Sequence, residues 1–233
     1  MDRRARTRFD REVYGVGQAA GLLGLRSDRV RSWLDGYTRG GKVYPPVVRE
    51  VPTSSDLVTW GEFVELGYLR EYRHAGVSLQ SLRPVIAALR EHYDTPYPLG
   101  VAKPYVSDRE LVMRLQQQHG VDRSVWMVLA SGQGILDLAD GAANFHRKIE
   151  FDPNYLAHRL AFAGKASPVR IDPEVAFGMP AVRSVSTERL FELWSVSDQS
   201  DRDISRLAEA YELPADDVRA AISYEEQQRT LAA

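Results

Sequence analysis

The fold of the N-terminal part is decided by residues 14–34, which read YGVGQAAGLLGLRSDRVRSWL. Apolar residues in the first half of this stretch recur every three or four positions, which predicts a helix with one buried face. Gly24 then ends that helix, and Leu25 is the apolar turn residue that holds two helices at a fixed angle. Ser27 suits the N-cap of a second helix. Three apolar residues of this second helix are expected to face inward: Val30, Trp33 and Leu34.

The outer side of the second helix is polar and mostly basic. Its members are Arg26, Ser27, Asp28, Arg29, Arg31 and Ser32. A short helix that carries arginines on its outer side can enter the major groove of DNA and contact phosphates and guanine edges. An ordinary two-helix corner with a solvated basic face has the same pattern, so the stretch alone leaves both interpretations open.

A β-hairpin is predicted directly after this corner, at residues 36–49, which read GYTRGGKVYPPVVR. A Gly-Gly pair supplies the turn, and two prolines end the second strand. Three basic side chains of this stretch are then available to contact backbone phosphate: Arg39, Lys42 and Arg49.

Charge is distributed unevenly along the chain. Residues 1–49 hold 11 Lys and Arg against 5 Asp and Glu, a balance of +6, whereas residues 186–233 hold 5 Arg against 11 acidic residues, a balance of −6. The net charge of −2 for the whole chain conceals this polarity. A basic end attracts nucleic acid and an acidic end repels it, so the two ends are expected to have different partners.

Residues 14–34 resemble the opening of MerR-type winged helix-turn-helix domains, whose pattern is an aromatic, a small apolar residue, Ala-x-x-Leu-Gly, a polar cap and an arginine before an aromatic. Arg31 lies where that family carries its helix-two arginine, and Trp33 replaces a tyrosine. Residues 57–89 also resemble such domains, with a third helix that Ser78 can cap and with Pro84 in its first turn or at a kink. The resemblance implies a DNA-binding domain over residues 1–93 that binds operator DNA as a homodimer.

Residues 171–182, which read IDPEVAFGMPAV, are similar to the signature of a small antitoxin-associated domain. Such domains are helical, helix-turn-helix-like modules of antitoxins paired with PIN-domain ribonuclease toxins, and the likeness implies one over residues 167–233. A MerR-like N-terminal domain followed by this module resembles the longer VapB-type antitoxins of actinobacteria.

Residues 94–166 lie between these domains and are predicted to be a linker and a small β-rich region. Two strands are expected around a Gly-rich turn at 131–134, and a second hairpin is expected to involve residues 148–151. The predicted fold class is therefore α+β, with an N-terminal winged helix-turn-helix, a small central β-sheet and a C-terminal helix-turn-helix-like helical module.

Composition argues against several other classes. The chain has no cysteine, so it can form neither a disulfide nor a thiolate metal site. Its longest apolar run is five residues, far below the ~20 that span a bilayer. The five histidines have no metal-ligand spacing, and no nucleophile is paired with a base. We expect a cytoplasmic protein with no membrane span, no cofactor and no enzymatic activity.

The expected function is that of an antitoxin that neutralises a PIN-domain ribonuclease, encoded by the adjacent gene, and represses its own operon. The acidic C-terminal half would cover the basic RNA-binding surface of the toxin. The residues expected to contact the toxin are Trp194, Glu192, Asp201, Asp203 and Arg229. Phe177, Leu190 and Phe191 are expected in the core of this half, and Trp194 either there or at the interface.

A second hypothesis is a MerR-like transcription regulator that responds to a ligand and has no toxin partner. In that case the central and C-terminal parts would bind the effector and form the dimer.

Overall fold

The computed structural model of the protein describes residues 8–101 and 140–232. These residues form two compact units. The first unit holds the described residues up to Arg147 together with Phe151–Ala157, and the second holds Lys148–Glu150 and the residues from His158 onward. The strands and the Gly-rich turn predicted within residues 126–138 lie outside the described residues.

The described part of the first unit is mostly helical and contains two small antiparallel sheets. Its elements up to residue 100 are β1 (Glu12–Gly15), α1 (Val16–Leu22), α2 (Ser27–Asp35), β2 (Tyr37–Arg39), β3 (Lys42–Tyr44), β4 (Leu57–Thr59), α3 (Trp60–His74), α4 (Leu79–Tyr93) and a 3-10 turn (Pro98–Gly100). Helix α5 (Asp140–Lys148) follows after the gap. Strand β1 pairs with β4, and β2 pairs with β3.

Helix α3 forms the centre of the first unit. All residues from Trp60 to Leu69 are buried, including two glutamates. Thr59 caps the helix in a capping box with Glu62, in which each side chain bonds the backbone N–H of the other residue. Gly67 has no Cβ, and this leaves the space that the ring of Phe145 occupies.

The predicted two-helix corner at residues 14–34 is confirmed. Leu25 N–H donates to the Ala20 carbonyl at 2.8 Å, and Gly24 adopts a left-handed φ of 60° between the helices. The prediction that Ser27 caps α2 is wrong by one residue. Arg26 occupies the cap position, Ser27 is the first helical residue, and no side chain bonds the free N–H groups from the cap.

The predicted hairpin is also confirmed, as strands β2 and β3. Tyr37 pairs with Tyr44 and Arg39 with Lys42, around a two-residue Gly40-Gly41 turn in which both glycines have positive φ.

Side chains of helix α4 bind the backbone of residues 45–47, which follow the hairpin. Ser78 caps α4 by accepting a hydrogen bond from Ser81 N–H, as predicted. Pro84 lies inside the helix, beyond its first turn. Two arginines of α4 donate to backbone carbonyls, Arg83 to Pro45 at 3.1 Å and Arg90 to Val47 at 2.9 Å.

Strands β5 (Ile149–Phe151) and β6 (Ala157–Leu160) form the hairpin predicted near residues 148–151. The elements that follow are β7 (Val169–Arg170), a 3-10 turn (Ala176–Gly178), β8 (Ala181–Val182), β9 (Val185–Ser186), α6 (Thr187–Ser195), α7 (Asp201–Ala210) and α8 (Ala215–Ala232). Strands β7, β8 and β9 form an antiparallel sheet in that order. Side chains from these strands and from the three helices form one apolar core.

The α7–α8 corner repeats the backbone geometry of the α1–α2 corner. Leu213 N–H donates to Ala208 O at 2.8 Å, just as Leu25 N–H donates to Ala20 O, and Glu212 takes the left-handed conformation of Gly24. The buried residues also correspond in order: Val30 with Val218, Trp33 with Ala221, and Leu34 with Ile222. The protein therefore contains two corners of the same backbone geometry, one in each unit.

The fold is α+β, as predicted, with helices and small antiparallel sheets. In the described ranges, no helix has both the length and the apolar character that crossing a membrane requires.

Candidate nucleic-acid interface

The outer side of α2 presents its arginines to solvent. Arg29 is exposed, and its side chain forms no ion pair with any residue that the structure describes. Arg26 bonds Asp28 through two nitrogens, at 3.1 and 3.0 Å, and both side chains are largely exposed. This bond from Arg26 keeps the pKa of Asp28 below its ordinary value. Arg31 pairs with Asp56, and this pair is also exposed.

Exposed ion pairs are weak, so these arginines remain available to another anion. Such pairs contribute about 0–1 kcal/mol to stability. Arg26 and Arg31 can therefore exchange a carboxylate for a phosphate at little cost. Ser27 is exposed, but Ser32 uses its hydroxyl within the helix, donating to the Asp28 carbonyl at 2.8 Å.

The hairpin presents two cations beside a pair of stacked aromatic rings. Tyr37 and Tyr44 stack with centroids 4.6 Å apart, and the Lys42 ammonium lies 5.4 Å from the Tyr44 centroid. Arg39 is exposed, has no ion pair within the described residues and lies opposite Lys42 at the turn. The hairpin thus carries its charge at its tip.

Arg49 is not part of this surface, which corrects the expectation that it contacts phosphate. Its side chain is 5% exposed. Its Nε donates to Glu62 at 2.7 Å, and its other nitrogens donate to Asp35 at 2.9 Å and to the Leu57 carbonyl at 2.8 Å. Burial acts to lower the pKa of Arg49, but the bonds to Glu62 and Asp35 outweigh it and raise that pKa. Arg49 therefore fixes the loop between the hairpin and β4.

The residues expected to contact a toxin lie in the second unit, and three of them are already engaged there. Asp203 is buried as the partner of Ser200 in the capping box of α7, so it is a structural residue and not a free carboxylate. Arg229 lies over the ring of Phe191, 4.4 Å from its centroid. Trp194 is half-buried against the core, and its Nε1 is buried without a hydrogen-bond partner among the described residues.

Glu192 and Asp201 differ from these three because their carboxylates are exposed. Glu192 lies 4.0 Å from Arg189, with more than half of its side chain in solvent. Asp201 pairs with Arg219 at 3.3 Å and is 86% exposed. Both can face a charged partner.

The two corners of like geometry differ in charge. Asp217 occupies in α8 the position that Arg29 occupies in α2, and Asp216 corresponds to Asp28. Arg31 likewise corresponds to Arg219. The first corner thus carries an exposed arginine, Arg29, where the second carries a partly buried carboxylate, Asp217, which accepts from Arg183 at 3.2 Å.

Two features of these surfaces were not predicted. Arg83 and Arg90 support the hairpin segment through carbonyls some forty residues away in sequence, and no local pattern marks such contacts. Phe177, expected in the core, is 88% exposed. The positive φ of its turn separates it from the neighbouring apolar residues, and only the glycine at 178 hints at this turn in the sequence.

No family model matches the chain. The Mycobacterium tuberculosis protein named "Uncharacterized protein Rv2308" is 37% identical over 131 residues, which are 55% of this chain and 54% of that protein. The chain thus spans about half the length of this curated relative. The crystal structure of Rv2018 from Mycobacterium tuberculosis matches with a TM-score of 0.67 and 23% identity, over 92% of this chain and 99% of that one. The two chains share a fold.

Proposed function

We propose that the protein is an antitoxin of a type II toxin–antitoxin system. In this proposal the first unit acts as a MerR-like winged helix-turn-helix domain, and a homodimer binds operator DNA to repress the operon. The second unit neutralises a PIN-domain ribonuclease encoded by the adjacent gene. The observation that carries the proposal is the group of exposed cations on the outer side of α2 and at the tip of the hairpin.

The DNA-binding half rests on the exposed cations of α2 and the hairpin. Arg26, Arg29 and Arg31 would reach the major groove, while Arg39 and Lys42 would contact the backbone on its flank. These five side chains are exposed. The ion pairs of Arg26 and Arg31 are weak enough for a DNA phosphate to replace the carboxylate. A two-fold dimer requires half-sites one turn of the duplex apart, or a multiple of this spacing.

The antitoxin half rests on the likeness of residues 171–182 to the antitoxin-associated signature, together with the acidic surface of the second unit. Glu192 and Asp201 are exposed and would attract a basic RNA-binding surface. Arg229 is held on Phe191, so an arginine inserted into the toxin from this tail is not favoured.

The DNA-binding half is tested by the salt dependence of binding to the protein's own promoter. The double substitution R29Q/R39Q should lower the slope of log K against log salt by up to about 4, because each protomer of the dimer loses two cations from the surface that faces DNA. The unfolding midpoint should not change, since both side chains are exposed.

The control is R189Q, which removes an exposed charge from the second unit and should leave the slope unchanged. Equal slopes for R29Q/R39Q and the wild type would contradict the assignment of DNA binding to this surface.

One observation favours the ligand-responsive regulator as a second candidate. The first unit contains a cleft of about 770 Å³ that reaches Arg90, the residue that holds the segment after the hairpin. Four carboxylates line it: Asp10, Glu50, Glu91 and Asp94. A cationic effector bound there could alter the support of the hairpin.

The neighbouring genes discriminate the two functions. A neighbouring gene for a PIN-like protein, with about four acidic residues placed to hold a divalent metal, would favour the antitoxin. A neighbouring metabolic operon would favour the ligand-responsive regulator.

A further inference from the structure

The outer side of α2 carries carboxylates as well as arginines. Arg31 pairs with Asp56, and Arg26 bonds Asp28 through two nitrogens, at 3.1 and 3.0 Å. Arg29, which lies between these two arginines in sequence, forms no ion pair with any residue that the structure describes. The surface proposed for DNA therefore holds anions of the protein itself beside some of its cations.

The fold brings Asp56 to α2 from 25 positions away along the chain. Its backbone carbonyl accepts from the N–H of Val16, the first residue of α1, at 2.9 Å. The next residue, Leu57, begins β4 and pairs with Gly15 in β1. The backbone of Asp56 is thus tied to the start of α1, and its carboxylate is held within reach of Arg31.

The ion pair between Arg31 and Asp56 lies where it can open without disturbing the core. Arg31 keeps 55% of its side chain exposed, and Asp56 keeps 73%. Arg49, by contrast, is enclosed with its carboxylates and fixes a loop. A phosphate that approaches Arg31 meets the carboxylate of Asp56, which repels the phosphate and competes with it for the guanidinium.

We propose that Asp56 is an internal competitor of DNA, which occupies Arg31 in the free protein and must be displaced by phosphate before that arginine joins the complex. The inference rests on the proposed DNA-binding function and names a residue that sets the affinity of the same surface. Arg29 and Arg39, which have no ion pair within the described residues, attract the duplex first. Arg31 exchanges its partner once α2 has entered the groove. The protein therefore binds DNA more weakly than its exposed arginines alone would imply.

The test is a binding titration of the full-length protein with a duplex that carries its own promoter. D56N keeps the size of the side chain and removes its charge, so it should raise the affinity about 5-fold by ending the competition with phosphate. The gain should shrink as the salt concentration rises, since salt screens interactions between exposed charges. The unfolding midpoint should not change, because the lost ion pair is exposed.

Two further variants separate competition at Arg31 from general repulsion of DNA. The control E12Q removes the same charge from an exposed side chain of the same unit, and in the described ranges Glu12 pairs with neither Arg29 nor Arg31. Its affinity should differ from that of the wild type by less than about 2-fold. The double variant R31Q/D56N should gain less than about 2-fold over R31Q, because the arginine for which Asp56 competes is absent.

Several results would overturn the inference. If the wild type binds the promoter and D56N binds equally or more weakly, Asp56 is not a competitor, while the DNA-binding function stands. If neither protein binds the promoter, the function and the inference both fail. A gain in E12Q equal to that in D56N, or an undiminished gain in the R31Q background, would mean that Asp56 acts by general repulsion alone. A lowered unfolding midpoint in D56N would make Asp56 a structural residue.

Discussion

At the scale of single residues, burial separates arginines that stabilise the fold from arginines that can bind. Arg49 and Arg39 belong to the same predicted basic stretch, yet one is enclosed by Glu62 and Asp35 and the other is exposed. The difference depends on carboxylates 13 and 14 positions away from Arg49. A local pattern could not reveal it, which is why this arginine was misassigned.

Arg49→Gln should lower the free energy of unfolding by about 3 kcal/mol, because it leaves two carboxylates without their buried cation. Arg39→Gln should change it by less than about 0.5 kcal/mol, as surface substitutions usually do. Urea unfolding of both variants measures the difference. Equal stabilities would mean that the Arg49 ion pairs do not hold the loop.

Glu65 is a fully buried glutamate of α3. It accepts from Leu99 N–H at 3.1 Å and lies 3.4 Å from Arg90. Burial raises its pKa from an ordinary 4.5 to about 7, against the attraction of Arg90, which lowers it. The effect of burial on the pKa of Glu65 exceeds that of Arg90, because the carboxylate is enclosed and the guanidinium of Arg90 also donates to backbone carbonyls.

The folded protein should therefore lose stability as the pH rises from about 4.5 to about 7, since over this range the folded state binds a proton that the unfolded state has released. The full loss is up to about 3 kcal/mol. Glu65→Gln should remove this slope. Denaturant midpoints at several pH values test it, and parallel profiles for the two proteins would contradict the assignment.

At the scale of elements, the hairpin of β2 and β3 depends on a glycine at its base. Gly36 has a φ of 76°, and a Cβ there would collide with the Tyr44 carbonyl oxygen. Gly36→Ala should therefore destabilise the protein by more than about 1 kcal/mol and weaken DNA binding, because the strands can no longer close.

The matched control is Gly21→Ala, at an exposed site of α1 with nothing within 4 Å of an added Cβ. This substitution should leave stability unchanged or raise it by up to about 1 kcal/mol. Thermal unfolding compares the two variants, and a Gly36→Ala protein as stable as the control would show that the hairpin base is not constrained.

Elements with local signals were predictable from the sequence. Apolar spacing placed the α1–α2 corner, and the Gly-Gly pair placed the hairpin turn. The prediction for Ser27 is wrong by one residue because Arg26, whose side chain makes no capping hydrogen bond, occupies the cap position of α2. Phe177 was misplaced since its exposure follows from the positive φ of three successive residues, which apolar spacing does not encode.

At the scale of the whole molecule, one corner geometry is used twice with different charge. The corner of the first unit exposes Arg29, which suits phosphate, whereas the corresponding residue of the second unit, Asp217, is partly buried and bonds Arg183. Under the proposed function, a chain with a net charge of only −2 has one surface for DNA and another for a protein. Substitutions on either surface should then affect one partner without affecting the other.

The proposed antitoxin function is tested most directly by the ribonuclease activity of the neighbouring gene product, measured with increasing amounts of this protein. RNA cleavage should fall to background near an equimolar ratio. R29Q/R39Q should inhibit as well as the wild type, because both substituted side chains lie on the surface proposed for DNA. Cleavage that continues undiminished in the presence of excess protein would contradict the claim that this chain is an antitoxin.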